Sequence, residues 1–406
     1  MLIREQDGEA AVHHADERVG GAEINAEDRR HGERMKGEYT RVGKFDAEGL
    51  PKCHASPTIC TMHHILQTLE AGNSLTAAQV GEAAAFLVAG NESAAAKAAF
   101  LRALAKKGET PAEIAAFVQE FLKLAVDPRL DRAKLPGPML DVVGTGGDKL
   151  HLFNVSTTAM FILAAGGVCV TKHGNRGVTS KAGGADVLEA LGIRIDLPVD
   201  RVARGIETIG LGFFFAPLYH PAFKAVAEAR KILGAEGQRS IFNLLGPLLN
   251  PSRPDYQLVG VFDPALTRTF GEILLTLGRK GAWVVHGSVE NFGGMDELST
   301  LGPNQICKVA GGALAEDALD PATLGFAPAK LEELVGGDAM QNAAVVEGIL
   351  SGAIKGAKRD IAVLNAAAGF VITGKAADMQ SGKALAESQL DRGAAHAKMC
   401  ALRDWC

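Results

Sequence analysis

The sequence lacks a surplus of positive charge, a long apolar run and more than a handful of cysteines. Its 42 Lys and Arg are outnumbered by 47 Asp and Glu, for a formal charge of −5. That balance excludes the basic surface with which a general nucleic-acid binder meets phosphates. The longest apolar run, Ala159 to Val170, is short and contains two glycines, so it does not span the ~30 Å of a bilayer core. The first residues carry Arg4, Glu5 and Asp7 and no apolar stretch, so no secretory signal is expected there. Six cysteines scattered over 406 residues make no secreted disulfide framework. No Ser-His-Asp order, nucleophile elbow or Walker lysine motif is evident. What remains is a soluble, cytoplasmic globular protein with no nucleic-acid and no membrane partner. At 406 residues it holds one large or two ordinary domains. A chain of that length buries roughly three quarters of its unfolded surface, without a disulfide or metal staple.

The chain divides by texture. Of the first 60 residues 21 are charged, against 22% overall, and no helical or strand period persists among them. Such a segment buries too little to offset its ordering entropy. Residues 1–61 read as a disordered extension, or as upstream sequence ahead of a start at Met62. Cys53, His54, Cys60, His63 and His64 fit no zinc-ligand spacing, and His63 and His64 are expected to open the first helix. From there the pattern is helical: His64–Ala71, Ala77–Ala89, Ser93–Lys107 and Ala112–Leu124. In the last, Thr110 stands in the cap position, Pro111 in the first turn and Glu113 at N3. Residues 62–128 thus read as a small helical domain. Pro198–Leu233 is again mostly helical, so this domain is expected to be discontinuous, completed by about 198–233. From Leu135 short apolar runs lead into glycine-rich turns and helices: Met139–Val143, Val168–Thr171, Gln257–Phe262 and Ala282–His286. Strands alternating with helices predict an α/β domain with a mostly parallel sheet over 135–406.

In such a sheet, ligands sit beyond the C-terminal strand ends, and four elements there carry chemistry. Gly144-Thr145-Gly146-Gly147-Asp148 lets the backbone approach an anion and expose its N–H groups; the plainer reading is a turn. Asn154-Val155-Ser156-Thr157-Thr158 enters an apolar helix, where Ser and Thr serve as caps and the same end attracts phosphate. Lys172-His173-Gly174-Asn175-Arg176 concentrates two cations and a histidine after a strand, with Thr179, Ser180 and Gly183-Gly184 following. Asp296-Glu297, after Gly293-Gly294, suits a hard cation such as Mg²⁺. Together they point to Mg²⁺-dependent chemistry on a phosphorylated small molecule, and residue chemistry alone goes no further.

These same residues resemble the anthranilate phosphoribosyltransferase family. The matching motifs are GTGGD at Gly144–Asp148, FNVST at Phe153–Thr157, KHGNR at Lys172–Arg176 and GGADVLEALG at Gly183–Gly192. FAPLYHPA at Phe215–Ala222, IFNLLGPLLNP at Ile241–Pro251 and MDELS at Met295–Ser299 extend the resemblance from about Ile65 to about Met399. GTGGD and KHGNR alone are shared with pyrimidine nucleoside phosphorylases, the nearest alternative. A non-catalytic nucleic-acid-binding relative is a second alternative, opposed by the charge balance.

The resemblance implies a helical domain, an α/β domain, an active site in the cleft between them, and a homodimer formed through the helical part. It implies transfer of phosphoribose from 5-phosphoribosyl 1-pyrophosphate to anthranilate, with Mg²⁺. Its donor contacts fall on Gly144, Gly147, Asp148, Asn154, Val155, Ser156 and Thr157. They continue through Lys172, His173, Gly174, Asn175, Arg176, Ser180 and Gly184. Anthranilate contacts fall on Gly144, Asn175, Arg230 and His220, and the metal on Ser156, Asp296 and Glu297. Lys172 and His173 are the implied catalytic pair, Lys172 neutralising phosphate and His173 an orienting residue, with acid–base work as its alternative role. Four departures stand out. Leu152 replaces a usual hydroxyl residue, Gly184 a frequent serine, and the Gly234–Arg239 turn and the Ser288–Gly294 loop are long.

Overall fold

The computed structural model describes residues 57–177 and 181–406. The reading of residues 1–61 therefore lies almost wholly outside the described residues, as do Thr179 and Ser180. Its upper limit moves, because the first helix already begins at Pro57, which places His63 and His64 inside that helix and not at its start. The described residues form one compact unit.

Four helices come first: α1 (Pro57–Glu70), α2 (Ala77–Val88), α3 (Ala94–Lys107) and α4 (Pro111–Leu124). Side-chain caps at Thr76, Ser93 and Thr110 start the last three by accepting a backbone N–H at N3, satisfying donors that the helix leaves orphaned. Val80 and Leu87, Phe100 and Leu104, and Phe117 and Phe121 turn the apolar faces inward. Glu113 closes the capping box, accepts the Leu75 N–H at 2.8 Å and pairs with Lys107. Both partners of that pair are almost fully buried.

The α/β part follows as β1 (Met139–Gly144), α5 (Val155–Ala165), β2 (Cys169–Gly174), α6 (Gly184–Ala190), α7 (Val199–Ile209) and β3 (Leu211–Phe215). Next come α8 (Ala216–Tyr219), α9 (Ala227–Ala235), α10 (Phe242–Leu245), β4 (Tyr256–Gly260), α11 (Leu266–Thr276) and β5 (Gly281–Val289). Strands β6 (Gly293–Met295), β7 (Asn304–Ala310) and β8 (Ala313–Leu319) precede α12 (Leu331–Leu334) and α13 (Ala339–Leu350). The chain ends with α14 (Ala357–Ile372), α15 (Met379–Asp391) and α16 (Ala394–Trp405). The sheet order is β3-β2-β1-β4-β5-β7-β8, with β6 against the far end of β5. The first five strands of that order are parallel, and β6, β7 and β8 join antiparallel.

Helix α5 is apolar all round and buried along most of its length. One core lies around it and α13–α16, while a second joins the four-helix bundle to α11 and the opposite sheet face through Val259, Val284 and Val309. The returning segment is shorter than its helical pattern predicts. Helix α7 packs on β2 and β3, and Leu211–Phe215 is a strand; only the stretch from Pro221 to Ala235 lies against α2 and α3. Lys97 ties that return down, its buried Nζ donating to the Ala89 and Ala225 carbonyls at 2.6 and 2.8 Å.

Glu113 yields a pH-dependent prediction. Burial alone would raise its pKa, but the Lys107, Leu75 and Thr110 donors outweigh burial and hold it below the ordinary 4.5. A carboxylate depressed in the folded state stabilises above its unfolded pKa, and loses that contribution as pH falls through the folded value. Glu113→Gln should therefore cost about 3 kcal/mol at neutral pH by leaving Lys107 buried and unpaired. Its deficit against the parent chain should shrink in acid. Urea denaturation at both pH values checks this, and equal neutral-pH midpoints would dismiss the pair as a staple.

Candidate active site

Gly144 ends β1, Gly260 ends β4, and the two are direct neighbours in the parallel ladder. The β5–β6 hairpin lays Asp296 across both. A Cβ on Gly260 would lie 1.6 Å from the Asp296 carbonyl oxygen, and one on Gly144 2.2 Å from its Oδ2. Only glycine leaves that space. The acidic pair is thus delivered to the strand ends by the antiparallel half of the sheet. Asp296 Oδ2 accepts the Gly146 N–H at 2.6 Å, and Glu297 Oε1 the Ser156 N–H at 3.1 Å. Two N–H groups expected for a phosphate are therefore donated to carboxylates. Burial pushes both carboxyls well above the usual range, followed by the Asp148 charge for Asp296 and the Asp296 charge for Glu297.

These residues floor a cavity of about 350 Å³, walled by the glycine loop, Asn154, Val155, Ser156, Asn175, Arg176 and Gly184. Gly146 and Gly147 hold φ of 68° and 92° in its rim, backbone that side chains rarely adopt. Asn154 stands at the N-cap of α5 without a side-chain cap bond; its amide instead donates to the Ala182 carbonyl and accepts from Asn342 Nδ2 at 2.9 Å. Ser156 and Thr157 lie inside the first turn of α5 and do not cap it. Thr157 is buried and does not line the cavity.

Lys172 also departs from expectation. Only 4% exposed, it lies beneath the cavity and donates to the Val142 carbonyl at 2.5 Å and Ser156 Oγ at 3.1 Å. Burial lowers its pKa, against the pull of Asp141, Glu297 and Asp296. Its ammonium therefore balances carboxylates and reaches the cavity through Ser156. Arg176 lines the wall, but its guanidinium is engaged by Glu189 and Asp186 and lies over the Phe215 ring. The Glu189 and then Asp186 bonds raise its pKa. Leu152 keeps its place on the cavity wall and pairs with Val335 across an isolated bridge.

A second cavity, of about 440 Å³, shares Gly144–Gly147, Lys149 and Asn175 with the first and adds His173, Gly174, Arg230, Arg239, Asn243, Phe242 and Phe262. Arg230 opens to solvent through this cavity, yet protein crowds its guanidinium enough for desolvation to lower its pKa; it lies 5.5 Å over Phe242. Burial, then His220, holds the His173 imidazole down at about 3, so the ring is neutral at physiological pH. His173 Nε2 is buried without a hydrogen-bond partner. His220 lines neither cavity. It sits edge-on to His173 at 5.3 Å, with Nε2 bonded to the Leu249 carbonyl. Arg239, 4.4 Å over the Phe262 ring, escaped the sequence reading; the aromatic after β4 was its only signal.

Two family models match this arrangement, "Glycosyl transferase family, helical bundle domain" over residues 63–125 and "Glycosyl transferase family, a/b domain" over residues 136–396. Fold and site together define a two-domain glycosyl transferase. Within that class the chain belongs to the anthranilate phosphoribosyltransferase family. It is 44% identical to the enzyme of that name from Moorella thermoacetica over 82% of this chain and 95% of the relative. With the one from an Anaeromyxobacter species it shares 47% identity over 75% of this chain and 86% of that one. The crystal structure of the Thermus thermophilus anthranilate phosphoribosyltransferase superposes with a TM-score of 0.76 at 40% identity, covering 84% of this chain and 98% of that one. No helix among the described residues is long and apolar enough to cross a membrane.

The glycine contact can be tested directly. Gly260→Ala should cost about 3 kcal/mol, the upper range for overpacking, and displace the acidic pair. Gly234→Ala, where a Cβ meets nothing within 4 Å, should be neutral or slightly stabilising. Thermal melts of both variants decide it; equal shifts would mean the Asp296 contact carries no constraint.

Proposed function

We propose that this chain transfers phosphoribose from 5-phosphoribosyl 1-pyrophosphate to the amine of anthranilate, releasing pyrophosphate, in the second step of tryptophan biosynthesis from chorismate. The observation that carries the reading is the pair of cavities meeting at Gly144–Gly147 and Asn175. One is acidic and glycine-walled, and the other is aromatic with two arginines. A phosphorylated donor and an aromatic carboxylate acceptor match them. The family identity reported above supports the same assignment, which includes a homodimer that light scattering would detect.

Mg²⁺ fits the first cavity. Two carboxylates held above their ordinary pKa by burial and neighbouring charge favour a cation at their face, and Ser156 adds a hydroxyl. Among the described residues no group of three or more His, Cys, Asp or Glu forms a cage. That suits a metal bound by one or two carboxylates and completed by substrate phosphates and water. Bound there, Mg²⁺ would offset charge on the pyrophosphate.

The remaining steps belong to the chain. Asp296 and Glu297 would hold the metal with Ser156, and Lys172 would keep Ser156 and Glu297 in place from below. The glycine loop, Asn154 and the α5 N-terminus would seat the donor. Arg230 would clamp the acceptor carboxylate, with Asn175 at the shared wall. His173, neutral, would orient the amine. The new C1–N bond forms as the C1–O bond to pyrophosphate breaks, pyrophosphate leaves with the bonding pair, and the amine then releases its proton. An aromatic ammonium is acidic, so positioning suffices without a strong base.

The deciding assay is loss of anthranilate fluorescence with donor and Mg²⁺; no change in the parent chain would reject the reading. Asp296→Asn combined with Glu297→Gln should lower turnover by about a hundredfold or more, the scale of lost electrostatic stabilisation. Unchanged turnover and Mg²⁺ dependence would remove the pair from the site. Arg230→Ala should cost about 1.5–3 kcal/mol of acceptor binding, the scale of a charged hydrogen bond. That raises the Michaelis constant for anthranilate about tenfold to hundredfold and leaves the donor's nearly unchanged. Equal weakening of both substrates would make Arg230 a structural residue.

A further inference from the structure

Strand β1 pairs with β4 over Leu140–Gly144, and β2 with β3 over Val170–Gly174. Between β1 and β2, however, the register stops after Met139–Cys169 and Leu140–Val170. Continued as a parallel ladder, it would set the His173 N–H against the Val142 carbonyl and the Thr171 carbonyl against the Val142 N–H. Side chains take three of those four groups. The His173 N–H donates to Asp141 Oδ1 at 3.3 Å, the Val142 carbonyl accepts from Lys172 Nζ, and the Thr171 carbonyl accepts from Asn250 Nδ2 at 2.6 Å. Buried main-chain groups need partners, so these three side chains replace main-chain pairing where it ends. Asp141 is fully buried, and its second oxygen has no hydrogen-bond partner. It is opposed by Lys172 and Arg279.

We propose that Asp141 is a positioning residue that keeps β1 and β2 unpaired at their C-terminal ends and so sets the spacing of the two loops that follow. Those loops, Gly144–Asp148 and His173–Arg176, face one another in the walls of both cavities. Asp141 touches neither cavity and acts through the His173 backbone and Lys172. The proposal rests on the phosphoribosyl-transfer reading for its kinetic arm only.

Two variants and one independent readout test it. In Asp141→Ala the acceptor oxygen is gone, and the Michaelis constants for both substrates should rise together by about tenfold, equivalent to about 1.4 kcal/mol of binding, as both loops shift. Asp141→Asn keeps an acceptor for the His173 N–H and should return both constants most of the way. Hydrogen exchange at the His173 amide should be at least about tenfold faster in the alanine variant, while Leu258 and Val259, on the intact β1–β4 side, stay protected. Should Asp141→Ala not fold, Asn250→Ala, which frees the Thr171 carbonyl, is read in the same way through both Michaelis constants. Unchanged constants and unchanged His173 exchange overturn the proposal, as does a loss of thermal stability alone. A parent chain that fails to consume anthranilate refutes the activity reading, and the exchange measurement still decides the role of Asp141.

Discussion

The close approach of Asp296 to Gly144 and Gly260 is the contact on which the site depends. Those glycines end adjacent parallel strands in register, and each leaves room that a methyl group would fill. The antiparallel β5–β6 hairpin exploits that room to bring two carboxylates onto the parallel strand ends. A parallel sheet alone presents backbone N–H groups and helix N-termini there, which suits anions. Asp296 and Glu297 occupy the Gly146 and Ser156 N–H groups, and under the proposed function they would turn an anion cradle into a seat for a metal–anion pair.

Charge balance beneath the cavity follows from that placement. Buried carboxylates are costly unless a cation opposes them. Lys172 supplies one from below, within reach of Glu297, Asp296 and Asp141, and Arg279 opposes Asp141 from the other side. This explains why the lysine of the KHGNR motif is buried and is not displayed to a ligand. The arginine of the same motif is likewise satisfied within the protein, by Glu189 and Asp186. Positive charge left facing the cavities comes from Lys149, which both share, and from Arg230 and Arg239 in the second.

Local signals in the sequence carried the bundle well. Thr110, Pro111 and Glu113 specify a helix start by short-range hydrogen bonding, and the capping box forms as that spacing implies. The strands ending at Gly144 and Gly174 were legible because an apolar run meets glycine. Strand β3 was not: Leu211–Phe215 is short, apolar on both faces and flanked by helices, and such a run has no period to separate strand from helix. Strands β7 and β8 alternate weakly because β8 lies mostly exposed. At the site, residue type located the acidic pair and the two loops. The inward turn of Lys172, the capture of Arg176 and the withdrawal of His220 are tertiary outcomes. Each depends on partners such as Val142, Glu189 and Leu249, whose proximity no local spacing encodes.

The second cavity is walled by a segment that answers to two cores. Helix α9 carries Arg230 and its following turn ends at Arg239, while Ala229 and Leu233 on the same helix pack into the bundle core. Lys97 reaches the Ala225 carbonyl just ahead of α9, and Arg102 holds Glu236 just after it with three bonds of 2.7, 2.8 and 3.3 Å. The first link is buried and strong; the second is half-exposed and contributes about 1 kcal/mol at most. Both ends of α9 are thus referenced to α3, whereas Phe262, beneath Arg239, belongs to the loop after β4 and donates its N–H to Thr145. The second cavity therefore has one wall fixed to the bundle and one fixed to the glycine loop of the first. Shifting α3 against the sheet would move Arg230 relative to Gly144 without altering the Asp296 and Glu297 hydrogen bonds of the first cavity. The geometry of the second cavity is in that sense a property of the packing between bundle and sheet, while that of the first is internal to the sheet and α5.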